Sequence, residues 1–356
     1  MSGYAAFLRR PATVALALAG VGVFWALDLP LPFLFGPMAF CLVAALLGAP
    51  LRGLGEISVA ARTILGVAVG ASITPDLVGQ VPQMAKSVAL IPLYIVIIGA
   101  IGVPFFRRLG FDPVTSYYAA MPGGLQDMVI FGEEAGADPR ALALIHATRV
   151  AVIVSLTPMI LLWFYDASLT GSMGAPARDL PPGEMAIMVV AALVGWKGGE
   201  RIGLFGASIL GPMIVTAVLS LADVIHSRPP AEAVMAAQFL IGIGIGVHYV
   251  GVTLRELRLF VLSGVAFVMV LAVLTAIFTE FVRRTGIAPP LEGFLSFAPG
   301  GQAEITVLAM VVGADLGFVI LHHVTRIVLV IMGAPVAARV LKLRKPAPRS
   351  PPGEEP

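Results

Sequence analysis

The sequence predicts an all-α, polytopic membrane helix bundle built from two internal repeats of about 10–12 spans in total, and three observations predict it. Of 356 residues, 58% are hydrophobic and only 12% charged, with mean hydropathy +0.95, whereas soluble domains carry about a quarter charged residues. The apolar residues fall in runs of helical length without period-two alternation, which argues against an outer-membrane barrel. A polar block also occurs twice. Met121-Pro-Gly-Gly-Leu-Gln-Asp127, Gly136-Ala-Asp138 and His146-Ala-Thr-Arg149 return as Ala298-Pro-Gly-Gly-Gln-Ala-Glu304, Gly313-Ala-Asp315 and His323-Val-Thr-Arg326, each 177 residues later. No gap is needed, and about a third of the aligned positions are identical, which is strong for a repeat.

The first repeat covers 1–165, a Gly-, Pro- and Ser-rich linker 166–183, the second repeat 184–341, and a basic, Pro-rich tail 342–356, read as disordered. Arg9-Arg10-Pro11 lead into an apolar run over 12–27. A positive flank before a short apolar core also fits a signal peptide. The second half opens on a matching short run over 184–196, which favours a retained helix. The next helix carries Gly36-Pro37-Met38, matched by Gly211-Pro212-Met213. The third, over 57–78, holds Gly66 and Gly70, matched by Gly242 and Gly246; glycines four apart let helix backbones approach closely in lipid. A fourth helix over 88–106 stops at Arg107-Arg108, and its counterpart over 259–282 stops at Arg283-Arg284.

The Pro-Gly-Gly elements, 113–135 and 290–312, are long enough to cross a bilayer of about 30 Å. Pro122, Gly123 and Gly124, and Pro299, Gly300 and Gly301, break each into two half-helices. Such breaks at membrane depth must be buried in protein or line a wet cavity. Asp138-Pro139 then starts a helix with an N-cap and a proline at the first position.

With six crossings per repeat, Arg9, Arg10, Arg52, Arg107, Arg108, Arg178, Arg228, Arg283, Arg284 and the C-terminal cluster share one side. Lys86, Arg140, Lys197, Arg201, Arg255 and Arg258 take the other, which places both termini in the cytoplasm. The double arginines at matching places favour parallel repeats. If the short first run of each half lies at the surface, each half crosses five times and the repeats are inverted.

Four positions per repeat could carry chemistry: Asp127 and Glu304, His146 and His323, Thr148 and Thr325, Arg149 and Arg326. Ionisable groups in a membrane line a cavity or pair with each other. Asp127 and Glu304 fall in the first turn after each break, where a carboxylate either caps its own helix or faces a cavity and exchanges a proton or cation. Arg149 and Arg326 stay ionised and need an anion, either the preceding carboxylate or a substrate. The histidines are satisfied core residues or proton relays. Asp138 and Asp315 read as N-caps, and Glu133-Glu134 as a helix end in water. Two half-helix N-termini brought together would form an anion-favouring site near the midplane.

The chain resembles the AbrB-type duplicated bacterial membrane proteins. The residues that carry the resemblance are Phe35-Gly-Pro-Met38 with Leu210-Gly-Pro-Met213 and the two Pro-Gly-Gly…Gly-Ala-Asp…His-x-Thr-Arg blocks, and it spans Pro11 to Arg339. Members carry conflicting labels: ammonia monooxygenase, regulator of gene expression, transporter. A copper or iron oxygenase needs clustered ligands, and here each repeat offers one matched histidine beside a cation, so the enzyme label fits worst. Cys41 alone permits neither an intrachain disulfide nor a Cys-based metal site. No cofactor is called for. No soluble stretch is long enough for a DNA-binding module, so a regulator would act indirectly. The reading is a multi-pass permease-like protein of the bacterial inner membrane that moves a small solute with proton or ion coupling through these two sites; the alternative is a membrane-embedded regulator or sensor that affects gene expression indirectly. Its partners are the bilayer, that solute and a second copy in a homo-oligomer, with no nucleic acid.

Overall fold

The computed structural model describes residues 2–169, 174–204 and 206–343. The tail from 344 and linker positions 170–173 lie outside the described residues. Every regular element described is a helix. The first half runs α1 (Ser2–Ala26), α2 (Pro32–Leu46), α3 (Glu56–Gly70), α4 (Pro75–Val88), α5 (Ile91–Arg108), α6 (Pro113–Ala120), α7 (Leu125–Ala135) and α8 (Pro139–Tyr165). The second runs α9 (Pro182–Arg201), α10 (Ala207–Leu221) and α11 (Ala231–Val247), then α12 (Leu254–Glu256), which continues through a π-helical turn, Leu257–Val261, into α13 (Leu262–Arg284). It closes with α14 (Pro290–Phe297), α15 (Gln302–Val311) and α16 (Leu316–Val340). By length and composition, Met84–Arg108, Pro139–Tyr165, Leu254–Arg284 and Leu316–Val340 are apolar enough to cross a membrane.

Glycines set how the first three helices of each half pack. Gly20 meets Gly36 backbone to backbone, joining α1 to α2, and Gly195 meets Gly211, joining α9 to α10. The halves then exchange partners. Gly66 and Gly70 of α3 face the backbone of Ile209 and Met213 on α10, while Gly242 and Gly246 of α11 face Leu34 and Cys41 on α2. A Cβ at any of these glycines would collide with the neighbouring helix, so the small-residue spacing builds an interlocked six-helix frame.

Contact order along these pairs fixes helix direction. Gly242 lies by Leu34 and Gly246 by Cys41, so α11 runs parallel to α2; by the same test α10 runs parallel to α3. In α5 and α13 the order reverses: Gly102 packs on Phe267 while Tyr94 bonds Thr275, so they are antiparallel. Equivalent helices of the two halves therefore point opposite ways, and the repeats are inverted rather than parallel.

The Pro-Gly-Gly elements explain why. Asp138 N–H at the foot of α8 donates to Thr115 Oγ1 (2.9 Å), and Arg149 farther along α8 reaches Met121 O, so α6 climbs beside α8. The backbone is extended at Met121 (φ −66°, ψ 133°) and Gly124 (φ −64°, ψ 146°), which turns the chain back. Gly132 of α7 then lies against Tyr118 and Leu142, and α7 returns to the foot of α8. Its 11 residues cover about 16 Å, half a bilayer. The element expected to be a broken crossing is a helical hairpin whose second arm returns to the end where the first began. The second copy does the same: Asp315 N–H donates to Glu292 at the foot of α16, and Arg326 reaches Ala298 O. Because α5 and α13 are antiparallel, the double arginines that close them lie at opposite ends of the bundle. Arg283 lies with Tyr165 and Asp166 at one end, while Arg339 and Lys342 gather at the base of the first hairpin at the other.

Candidate functional site

The site is built where the two hairpins meet. On α8, His146 and Arg149 share a face, three residues apart. Arg149 donates from Nη1 to Met121 O (3.0 Å) and from Nη2 to Gly123 O, and His146 Nε2 donates to Tyr118 O (3.1 Å). On α16, Arg326 donates to Ala298 O (3.0 Å) and Gly300 O (3.2 Å), and His323 Nε2 donates to Leu295 O (2.9 Å). Arg149 and Arg326 are 4% and 2% exposed, and neither forms an ion pair among the described residues. Each guanidinium instead takes two carbonyls of the break just past a half-helix, Met121 O and Gly123 O or Ala298 O and Gly300 O. The Arg–carboxylate tie is thus replaced by an Arg–carbonyl clasp that holds each hairpin tip. Asp138 caps α8 through Arg140 N–H and Ala141 N–H, and Asp315 caps α16 through Phe318 N–H.

With the arginines turned to the C-terminal halves of the tips, the N-terminal halves face a common cavity of about 290 Å³. Gly124 and Asp127 enter it from the first hairpin, and Gly301, Gln302 and Glu304 from the second. Gly124 and Gly301 are N-caps without a side-chain cap. The frame supplies Ser58 and Arg62 from α3, Ser208 from α10 and His248 from the end of α11. The cavity therefore lies between frame and hairpins. Its polar frame residues belong to the starts of α3 and α10 and the end of α11, near the end of the bundle that holds the start of α1 and the end of α16.

Of the residues singled out in the sequence, Asp127 and Glu304 reach this cavity. His146, His323, Arg149 and Arg326 hold the hairpins from behind. Thr148 accepts a hydrogen bond from Tyr249 (3.0 Å), and half-buried Thr325 is not among the lining residues. His322 bonds Phe318 O and Ser87 Oγ. Among the described residues no three His, Cys, Asp or Glu side chains converge as a metal-binding group. Sequence reasoning missed Arg62, Ser58, Ser208 and His248. Arg62 had a signal: past Glu56 at the first position, it is the one charge in the glycine-bearing helix α3. Its repeat equivalent, 176 residues on as for Gly66 and Gly242, is the neutral Gln238, so a search for duplicated polar residues passes over it.

Residues 33–342 match the family model described as "Transition state regulatory protein AbrB". A curated relative, "Putative regulator AbrB" of Escherichia coli (strain K12), is 24% identical over 343 residues, covering 91% of this chain and 93% of the relative. "Uncharacterized protein YhjN" of Bacillus subtilis (strain 168) is 25% identical over 304 residues, covering 79% of this chain and 77% of the relative.

Proposed function

The chain belongs to the AbrB family, and from that premise and the paired hairpins we propose that it is a carrier of the bacterial inner membrane that moves a small solute through the cavity at the hairpin tips. The observation that carries the reading is the meeting of two oppositely directed hairpins, Asp127 on one and Glu304 on the other, at one polar cavity between two helix bundles. Inverted repeats with half-helices ending at a midplane site are an architecture built for alternating access. In this reading the chain crosses ten times, through α1, α2, α3, α5, α8, α9, α10, α11, α13 and α16. Arg9, Arg10, Arg52, Arg107, Arg108, Arg140, Arg201, Arg255, Arg258, Arg339 and Lys342 then share the end that holds the start of α1 and the end of α16, against Lys86, Arg178, Arg228, Arg283 and Arg284 at the other. On that bias the reading assigns the start of α1 and the end of α16 to the cytoplasmic side.

The mechanism follows from charge. Asp127 and Glu304 exchange a proton or cation as the cavity empties and fills, while the Arg–carbonyl clasps keep the tips in shape. The test is proton-coupled flux in proteoliposomes with Asp127→Asn/Glu304→Gln beside wild type. Loss of flux and of its pH dependence is expected; unchanged flux would discard the mechanism. Cysteines placed after Arg108 and after Arg284 test the topology, because Cys41 is buried. Labelling from opposite faces is expected, and labelling from the same face would return the chain to parallel repeats.

A second reading is a membrane-embedded regulator of gene expression. The names of the family model and of the Escherichia coli relative speak for it. Regulation that persists in the double variant while flux is lost would favour it; joint loss places regulation downstream of transport.

A further inference from the structure

We propose that Arg62 is the cargo-binding residue of the cavity, and that the cargo is a small molecule carrying a carboxylate. The inference rests on the carrier reading for the word cargo, but its binding chemistry stands on the cavity alone. Arg62 projects from the apolar face of α3 into the cavity, and among the described residues it has neither an ion pair nor a hydrogen bond. An arginine in such a helix keeps its charge and needs an anion.

The chain's own anions do not fill that need. Asp127 and Glu304 stand in the first turns of α7 and α15 and lie within electrostatic reach of Arg62, yet neither forms a salt bridge with it. The carboxylates sit at the positive poles of their own helices, where negative charge is favoured. What remains is a gap with a guanidinium on one side. Two of the lining residues carry unpaired polar groups, a donor on Gln302 and a carboxyl on Glu304. Gln302 Nε2 is buried without a partner, and Glu304, nine-tenths buried, receives no hydrogen bond from another residue.

Size and number narrow the ligand. A cavity of about 290 Å³ falls just below the range of drug-sized pockets, so it suits a molecule of a few heavy atoms. Arg62 is the one guanidinium in the lining, its repeat equivalent being the neutral Gln238, so the site can pair with at most one anionic group. The planar guanidinium fork matches a carboxylate in bidentate fashion better than it matches a halide. The titratable groups facing the ligand are Asp127, Glu304 and His248, and a proton on Asp127 or Glu304 offsets the added negative charge.

The experiment uses the purified full chain in mild detergent with acetate, lactate, benzoate, chloride and methylammonium as probes. Thermal shift and calorimetry read binding in wild type, Arg62→Gln and Arg62→Lys. The glutamine variant takes the residue that the second repeat carries in the same place, and unligated melting checks that it folds. At least one of the three carboxylates is expected to bind wild type, with a tenfold or greater loss in Arg62→Gln and a smaller loss in Arg62→Lys. Carboxylate binding indifferent to Arg62, or binding of methylammonium or chloride alone, would overturn the inference, as would no carboxylate binding to wild type. Arg62-dependent binding without flux in proteoliposomes would sink the carrier and leave the site. Flux of methylammonium indifferent to Arg62 would do the reverse.

Discussion

The two hairpins share a sequence pattern and differ in their surroundings. In the second, α15 is buried from Ala303 to Val311, and Glu304 lies deep among α3, α8 and α11. In the first, α7 leaves Ile130 52% exposed and Glu133 and Glu134 in the open, and Asp127 is only half-buried. Their fastenings differ as well. Arg326 adds a bond to His323 Nδ1 (3.0 Å), whereas His146 Nδ1 has no partner. Tyr94 donates to Phe297 O at the second tip (2.8 Å), while the matching stretch of α13 offers only Val270 and Leu271. Tyr117 gives the first hairpin one compensating tie, to Ala334 O (2.9 Å). Similar sequences thus sit in unequal environments: the second hairpin is packed on most sides, and the first borders solvent along α7.

The comparison breaks most sharply at the clasps. Arg326→Met should destabilise by about 3 kcal/mol and Arg149→Met by about 2, because each strands buried carbonyls and the second hairpin loses one more bond. Equal losses in thermal melts would erase the distinction. Accessibility should follow next. In a Cys41→Ala background, a cysteine at Asp127 should react with a polar maleimide several-fold faster than one at Glu304; equal rates would mean that both tips face the same opening. Tyr94→Phe should cost about 1 kcal/mol and speed labelling at Glu304 without changing it at Asp127.

The smallest effect lies far from both tips. Exposed His226 is bonded to Glu184 (3.1 Å) and Asp223 (3.1 Å), which raise its pKa above the usual 6.5. The stability this contributes is full below the unfolded value and fades as pH rises through the folded one. A His226→Ala chain should lack that increment, with no change at either hairpin. A pH-dependent shift in hairpin labelling that vanished in His226→Ala would couple the regions and blur the contrast.

Much of this arrangement was legible in the sequence, because repetition exposes what each half must contain. The glycine pairs at 66/70 and 242/246 announced close helix contacts, Asp138-Pro139 announced a capped start, and the Pro-Gly-Gly steps announced breaks. The direction taken after a break was not legible. A run of bilayer length with a kink and a hairpin with two arms have the same composition, and the choice is made by Arg149 and Arg326 reaching across to carbonyls of another element. Backbone carbonyls carry no letter in the sequence, which is also why the arginines seemed to need carboxylates. Arg62 escaped because it occurs once, and the repeat directs attention to what occurs twice.

The exchange of partners in the frame has a consequence for biosynthesis. The Leu34–Cys41 face of α2 and the glycine face of α3 are covered by α11 and α10, which follow the whole first half in the chain. Until then those faces meet lipid, and the first half has no finished fold to reach by itself. Halves made as separate polypeptides should be short-lived alone and rescued together.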